Sequence, residues 1–106
     1  MSGLRYNTGK LKWSLVDYPS LEPLVKVLEF GMEKYSADNW KRGLQTREII
    51  ESLLRHTYAL LENENNDPES GLPHVGHILA NAMFLSYMIN NKPEYDNRSS
   101  DSRTTA

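Results

Sequence analysis

Apolar residues recur at helical spacing in three stretches of the chain, separated by polar and turn-forming breaks. In the first, Leu21, Leu24, Val25, Leu28, Met32 and Tyr35 form one stripe, predicting a helix from Pro19, with Ser20 or Asp17 as cap, to about Ser36. Val27 and Phe30 fall on the other side of that helix, which predicts a second covered face turned toward a partner subunit. In the second stretch, Ile49, Leu53, His56 and Leu60, flanked by Ile50, Leu54 and Leu61, predict a helix capped by Thr46 and ending near Glu64. The Asn-, Asp- and Pro-rich run 65–72 reads as a turn cluster. Pro73, following Ser70 or Gly71 as cap, then opens a third helix reaching about Asn91. The expected class is all-α: a small bundle of three main helices with an N-terminal arm, completed by oligomerisation into a dimer or tetramer.

The ends carry no such period. Residues 1–18 interleave Arg5, Lys10 and Lys12 with Tyr6, Trp13 and Tyr18 and read as an arm or ordered loop. From Lys92 the chain is polar and offers nothing to bury, so 92–106 is expected to be a disordered tail. At 106 residues with 39% hydrophobic content the chain fits one domain whose core would be marginal in a monomer. A formal charge of -2 and a pI near 5.9 disfavour duplex nucleic acid as a partner. Without cysteine, disulfides, thiolate ligands and thiol nucleophiles are excluded. No apolar run approaches the roughly 18 residues of a membrane span, and no leader is visible, so a cytoplasmic protein without membrane partners is expected.

The candidate chemistry is concentrated in one place. All three histidines belong to it: Arg55-His56 on helix 2, the run Asp67-Pro68-Glu69-Ser70-Gly71, then His74, His77 and Asn81 opening helix 3. Positions 74, 77 and 81 stack on one helical face. A short connection makes helices 2 and 3 antiparallel neighbours, and counting outward from the turn pairs Glu64 with His74, Leu60 with His77, and His56 with Asn81. The stripe 74, 77, 81, 84, 88 starts polar and turns apolar at Phe84 and Met88, as expected for a packed seam opened at its loop end into a polar pocket. His56, His74 and His77 are the candidate metal ligands. Imidazole mixed with carboxylate suits Mn²⁺, Co²⁺, Fe²⁺ or Zn²⁺, whereas all-oxygen sites suit Mg²⁺. Glu33, Glu64, Asp67 and Glu69 are the candidate catalytic carboxylates. The plainer roles are capping of helix 3 for Asp67 and Glu69, and a solvated helix face for Glu33. Arg55, Lys10, Lys34, Lys41 and Arg42 could neutralise phosphate oxygens. Tyr6, Trp13, Tyr35 and Trp40 could stack on a base or strap the arm over helix 1.

Seven motifs in order then carry a resemblance: Arg5-Tyr6-Asn7-x-Gly9-Lys10, Phe30-Gly31-x-Glu33-Lys34-Tyr35, Asn39-Trp40-x-x-Gly43, Arg55-His56, Glu64-x-x-Asp67-Pro68-Glu69-Ser70-Gly71, Pro73-His74-x-x-His77, and Asn81. Over residues 3 to 89 the chain resembles the phage dATP/dGTP diphosphohydrolase family, related to MazG-like all-α nucleotide pyrophosphohydrolases. The resemblance implies one such domain over 1–91 that hydrolyses a nucleoside triphosphate to monophosphate and pyrophosphate with a divalent metal: Mg²⁺, Mn²⁺ or Co²⁺, with Zn²⁺ or Fe²⁺ as alternatives. The candidate substrate-binding residues are Arg5, Asn7, Lys10, Lys34, Tyr35, Asn39, Trp40, Arg55 and Asn81, with Arg55 and Asn81 either behind the metal ligands or on the phosphates. The superfamily commonly carries Glu-x-x-Glu and Glu-x-x-Asp on successive helices. Here Leu53-x-x-His56 and His74-x-x-His77 stand in those places, and Asn63 stands where a glycine is expected. The rival reading is a non-catalytic helical module that holds nucleotide or single-stranded nucleic acid with its basic, aromatic arm.

Overall fold

The computed structural model describes Gly3 and residues 9–99. Among these the α-helices are α1 (Glu22–Lys34), α2 (Thr46–Leu61) and α3 (His74–Asn91), with 3₁₀ turns at Trp13–Leu15, Tyr18–Leu21, Asn39–Arg42 and Pro93–Tyr95 and no strand. The all-α expectation therefore holds. α3 is the central element, packing against both α1 and α2. Its buried residues His74, Gly76, Ala80 and Met88 show why: small side chains let α1 approach, and Met88 fills the far end. At Gly76 an added Cβ would lie 2.5 Å from the carbonyl oxygen of Pro23 and 3.0 Å from Val27, so only glycine allows this crossing.

That crossing corrects the reading of helix 1. Val27, expected to face a partner, is the buried residue of α1, while Val25, Met32 and Tyr35, expected in the core, are exposed, as is Phe30. The seam is rotated because α1 meets α3 at a glycine, and a contact with backbone needs no large side chain on the facing side. The start differs too. Pro19 and Ser20 lie in a 3₁₀ turn, the Ser20 hydroxyl donates to Asp17, and α1 follows with no side-chain cap.

Helix α2 is capped from a distance rather than by Thr46 itself. Gln45 is the N-cap, and Thr46 is fully buried. The side-chain oxygen of Asn97 accepts the Arg47 N–H at 3.0 Å, and the Thr46 hydroxyl accepts the Asn97 N–H at 3.1 Å and lies 3.2 Å from both Asp96 Oδ1 and Asn97 Oδ1. Tyr95 packs its ring against Gly43, whose φ of 138° belongs to glycine. Disorder expected from residue 92 is thus not met over 92–99: a polar segment can be ordered by satisfying the orphan N–H groups of a helix start, which a search for apolar surface overlooks. Residues 100–106 lie outside the described part.

Candidate metal centre at the α2–α3 turn

The site is built by how α2 ends. Asn63 adopts the left-handed conformation at φ 66°. Its N–H bonds to Leu60 O at 2.9 Å, and the Glu64 N–H bonds to Ala59 O at 2.9 Å. This double bond pattern closes a helix with a left-handed residue, for which asparagine is the usual substitute for glycine. The chain then folds back on itself: Asp67 N–H donates to Leu72 O at 2.8 Å and His74 N–H to Asn65 O at 2.8 Å, with a bridge between Asn66 and Pro73.

Because α2 stops at Leu61 and the connection doubles back, α2 and α3 are about one helical turn out of the register counted from the turn. His56 meets His74, not Asn81, with Nδ1 to Nδ1 at 2.8 Å. Asn81 instead donates to Ser52 Oγ at 3.2 Å and to the His77 carbonyl at 2.9 Å. The expected pair of Glu64 and His74 is present, Oε1 to Nε2 at 3.2 Å. The ring of His77 stacks on that of His56, centroids 4.5 Å apart and planes within 6°. Its Nε2 lies 2.8 Å from Ser70 Oγ and 3.8 Å from Asp67 Oδ2. Ser70 completes the turn by donating its N–H to Asp67 Oδ2 at 3.1 Å, and its Oγ accepts the Leu72 N–H at 3.1 Å. Ser70, expected as a cap of helix 3, instead braces Asp67 and His77, and Pro73 is the N-cap of α3; Ser52 carries no expectation from sequence, although it sits one turn before His56 on the same face.

One ligand atom each from His56, Asp67 and His74 falls within 4.8 Å of the others. Two imidazole nitrogens and a carboxylate oxygen suit a borderline divalent cation such as Mn²⁺, Co²⁺, Fe²⁺ or Zn²⁺ better than Mg²⁺. The electrostatics agree. Burial, then the neighbouring His77 and His74 imidazoles, hold His56 below the ordinary histidine value, with Asp67 opposing. Burial likewise lowers His77, again against Asp67. For Asp67 burial pushes upward, but the Ser70 N–H, the Ser70 hydroxyl and the adjacent histidines outweigh it, and its carboxyl lies below the usual range. The lowered imidazoles of His56 and His77 and the lowered carboxyl of Asp67 favour the deprotonated forms, which are the forms that bind a cation.

The other expected site residues divide. Glu69 is exposed on the turn and Arg55 is exposed on α2, adjacent in sequence to His56. Glu33 is not brought to this cluster: Pro23 is the residue of α1 beside Gly76, and Glu33 lies ten residues further along, about 15 Å at 1.5 Å per residue. Lys34, Tyr35, Asn39 and Trp40 instead line a separate pocket of about 510 Å³ between α1, the Asn39–Arg42 turn and α3, with Met83 and Phe84 on its floor. There Trp40 packs against Phe84 at 4.7 Å and Tyr87 at 5.0 Å between centroids, with Lys41 over both Trp40 and Tyr87. Lys10 is exposed in the arm. Arg5 and Asn7 lie outside the described residues.

A family model described as dATP/dGTP diphosphohydrolase, N-terminal, matches residues 1–98. The chain belongs to this family. A dATP/dGTP diphosphohydrolase of Salmonella phage PMBT28 is 34% identical over 98 residues, covering 92% of this chain. The chain spans 33% of that relative's length. No solved structure matches it. The family match runs through Asn97, so the segment that caps α2 lies inside the matched region.

Proposed function

We propose that this member of the family hydrolyses a purine deoxynucleoside triphosphate, dATP or dGTP, to the monophosphate and pyrophosphate, with a divalent metal held by His56, His74 and Asp67. The observation carrying this reading is the convergence of those three side chains where α2, the connecting turn and α3 meet, with Asp67 held by the Ser70 N–H and His56 against His74. The phage relative named as a dATP/dGTP diphosphohydrolase supports the choice of substrate. A bound divalent ion would supply positive charge at the α-phosphate and make a water molecule easier to deprotonate.

The chain's own groups divide the remaining work. His77 is neutral above its lowered pKa, and its Nε2 lies beside Asp67 and Ser70 at the edge of the cluster. It is the group placed to take the proton as water oxygen bonds to the α-phosphorus, while the bond from that phosphorus to the bridging oxygen breaks and pyrophosphate leaves with the electron pair. Arg55 and Lys10 offer charge to the leaving phosphates. Of the carboxylates expected to be catalytic, Asp67 is assigned to the metal, Glu64 to His74, and Glu69 to the rim. Tyr35, Asn39 and Trp40 are assigned to the base, which the apolar pocket along α3 would receive, with Lys34 at its edge. A homo-oligomer belongs to the same proposal: Leu54, Tyr58 and Leu61 form an exposed apolar stripe on the outer face of α2. No helix among the described residues is long and apolar enough to cross a membrane.

The test is ³¹P NMR of dATP and dGTP incubated with the protein and Mn²⁺, Co²⁺ or Mg²⁺. Monophosphate and pyrophosphate are expected. Orthophosphate with a diphosphate product would place the attack elsewhere, and inactivity with every metal would overturn the reading.

A further inference from the structure

Among the carboxylates of the site, Glu64 stands apart: its side chain is about half exposed, yet it contacts the one histidine that is buried. His74 is 4% exposed. A ring so enclosed must satisfy both nitrogens within the protein. Nε2 has Glu64 Oε1 at 3.2 Å, and Nδ1 has His56 Nδ1 at 2.8 Å. An ionised carboxylate only accepts hydrogen bonds, so a proton on His74 belongs on Nε2. The Nδ1 lone pair then stays bare and turned toward His56, and in the metal-free state His56 Nδ1–H fills the remaining contact.

Glu64 does not hold this place by burial. Its backbone holds it: the Glu64 N–H is tied to Ala59 O by the helix-ending pattern that Asn63 makes with its left-handed conformation. The backbone that carries this carboxylate is therefore set beside the first residue of α3, within reach of the His74 ring. We infer that Glu64 is a positioning residue, which fixes His74 as the Nε2–H tautomer and so presents Nδ1 to a divalent cation shared with His56 and Asp67. This rests on the metal reading above and goes beyond it by giving Glu64 a role other than ligand or general base. A carboxylate behind a ligating imidazole fixes ring orientation and raises its basicity, and losing one typically costs about 10–100-fold in metal affinity.

The experiment uses the full chain, stripped of metal, with ¹⁵N-labelled histidine. Two-bond ¹H–¹⁵N spectra at about pH 7.5, above the ordinary histidine value, read the tautomer of His74 directly. Co²⁺ affinity is measured separately from the visible absorption of the bound ion. Wild type should show His74 protonated on Nε2 alone. Glu64→Ala should mix the tautomers and weaken Co²⁺ binding about 10–100-fold, with helical content unchanged because the side chain is half in water. Glu64→Gln should stay near wild type in both, since its amide oxygen still accepts the Nε2–H. Protonation of His74 on Nδ1, or on both nitrogens, in the wild type would overturn the inference. So would a Glu64→Ala variant with unchanged tautomer and unchanged Co²⁺ affinity. Failure of the wild type to bind Co²⁺ would remove the metal reading, while the tautomer spectra would still decide whether Glu64 sets the state of His74.

Discussion

The two ends of α3 are built by opposite means. At the start of α3, polar groups are tied to one another: His56 to His74, His74 to Glu64, His77 to Ser70, and Ser70 to Asp67. Toward its other end, rings and thioethers meet with little hydrogen bonding. Trp40 leans on Phe84 and Tyr87, and the Leu44 N–H finds only the sulfur of Met88, at 3.4 Å. A bonded network fixes atoms in direction as well as distance, as ligands to a cation require. An aromatic pocket fixes only shape and suits a flat, weakly polar group. One helix thus carries two kinds of surface, and a perturbation at one end should leave the other standing.

The largest effect should come from His74→Ala. It removes a proposed ligand atom and strands both His56 and Glu64, so under the proposed function turnover of dATP or dGTP should fall by more than about 100-fold, beyond the cost of losing an outer partner. Circular dichroism should remain helical, and Trp40 fluorescence should be unchanged if the two ends are independent. Trp40→Ala is the converse. The ring is only half-buried, so the loss should be about 2–3 kcal/mol in urea unfolding, below the range for fully buried aromatics. KM should rise, and Co²⁺ affinity should hold. A parallel loss of metal binding would show the ends to be coupled.

Next in size is Thr46→Val, which deletes the buried hydroxyl that accepts the Asn97 N–H. Destabilisation of about 1–3 kcal/mol by urea unfolding is expected, the cost of an unpaired buried polar group. This cap lies at the far end of α2 from the histidines, so metal affinity should not follow it.

What sequence made legible was local. Three helices follow from apolar periodicity, and the gathering of His56, Asp67 and His74 follows from a short connection between two of them. The register did not, because Asn63 ends α2 early and the connection doubles back, moving His56 from Asn81 to His74. The buried face of α1 was also hidden, since it is set by Gly76, a residue on another helix. Asp96 and Asn97 were passed over because they stabilise by hydrogen bonding rather than by apolar area. Glu33, expected to reach the metal from the flank of helix 1, lies away from the histidines because α1 crosses α3 near its own start, while Tyr35 and Trp40, expected to stack on a base, line the separate pocket along α3.

The smallest effect is in pH. His56 and His77 are held below the ordinary value of 6.5, mainly by burial. As pH falls below 6.5 the unfolded chain takes up protons that the folded chain does not, so stability present above that value is lost on the way to the lowered folded values. Asp67, also lowered, adds a separate loss at pH below its ordinary 3.8. Urea midpoints of the metal-free protein should therefore decline on acidification from neutral pH, beginning in the histidine range. A flat profile there would mean that the histidine network is open to water in solution.

The most direct measurement is a parallel titration of metal-free protein with Co²⁺, following binding by calorimetry and hydrolysis of dGTP in the same solutions. Hydrolysis should rise with occupancy of the histidine end, and both should be lost together in His74→Ala while Trp40→Ala keeps the binding curve. Turnover that persists in His74→Ala, or Co²⁺ binding that the substitution leaves unchanged, would contradict the assignment of this turn as the metal centre.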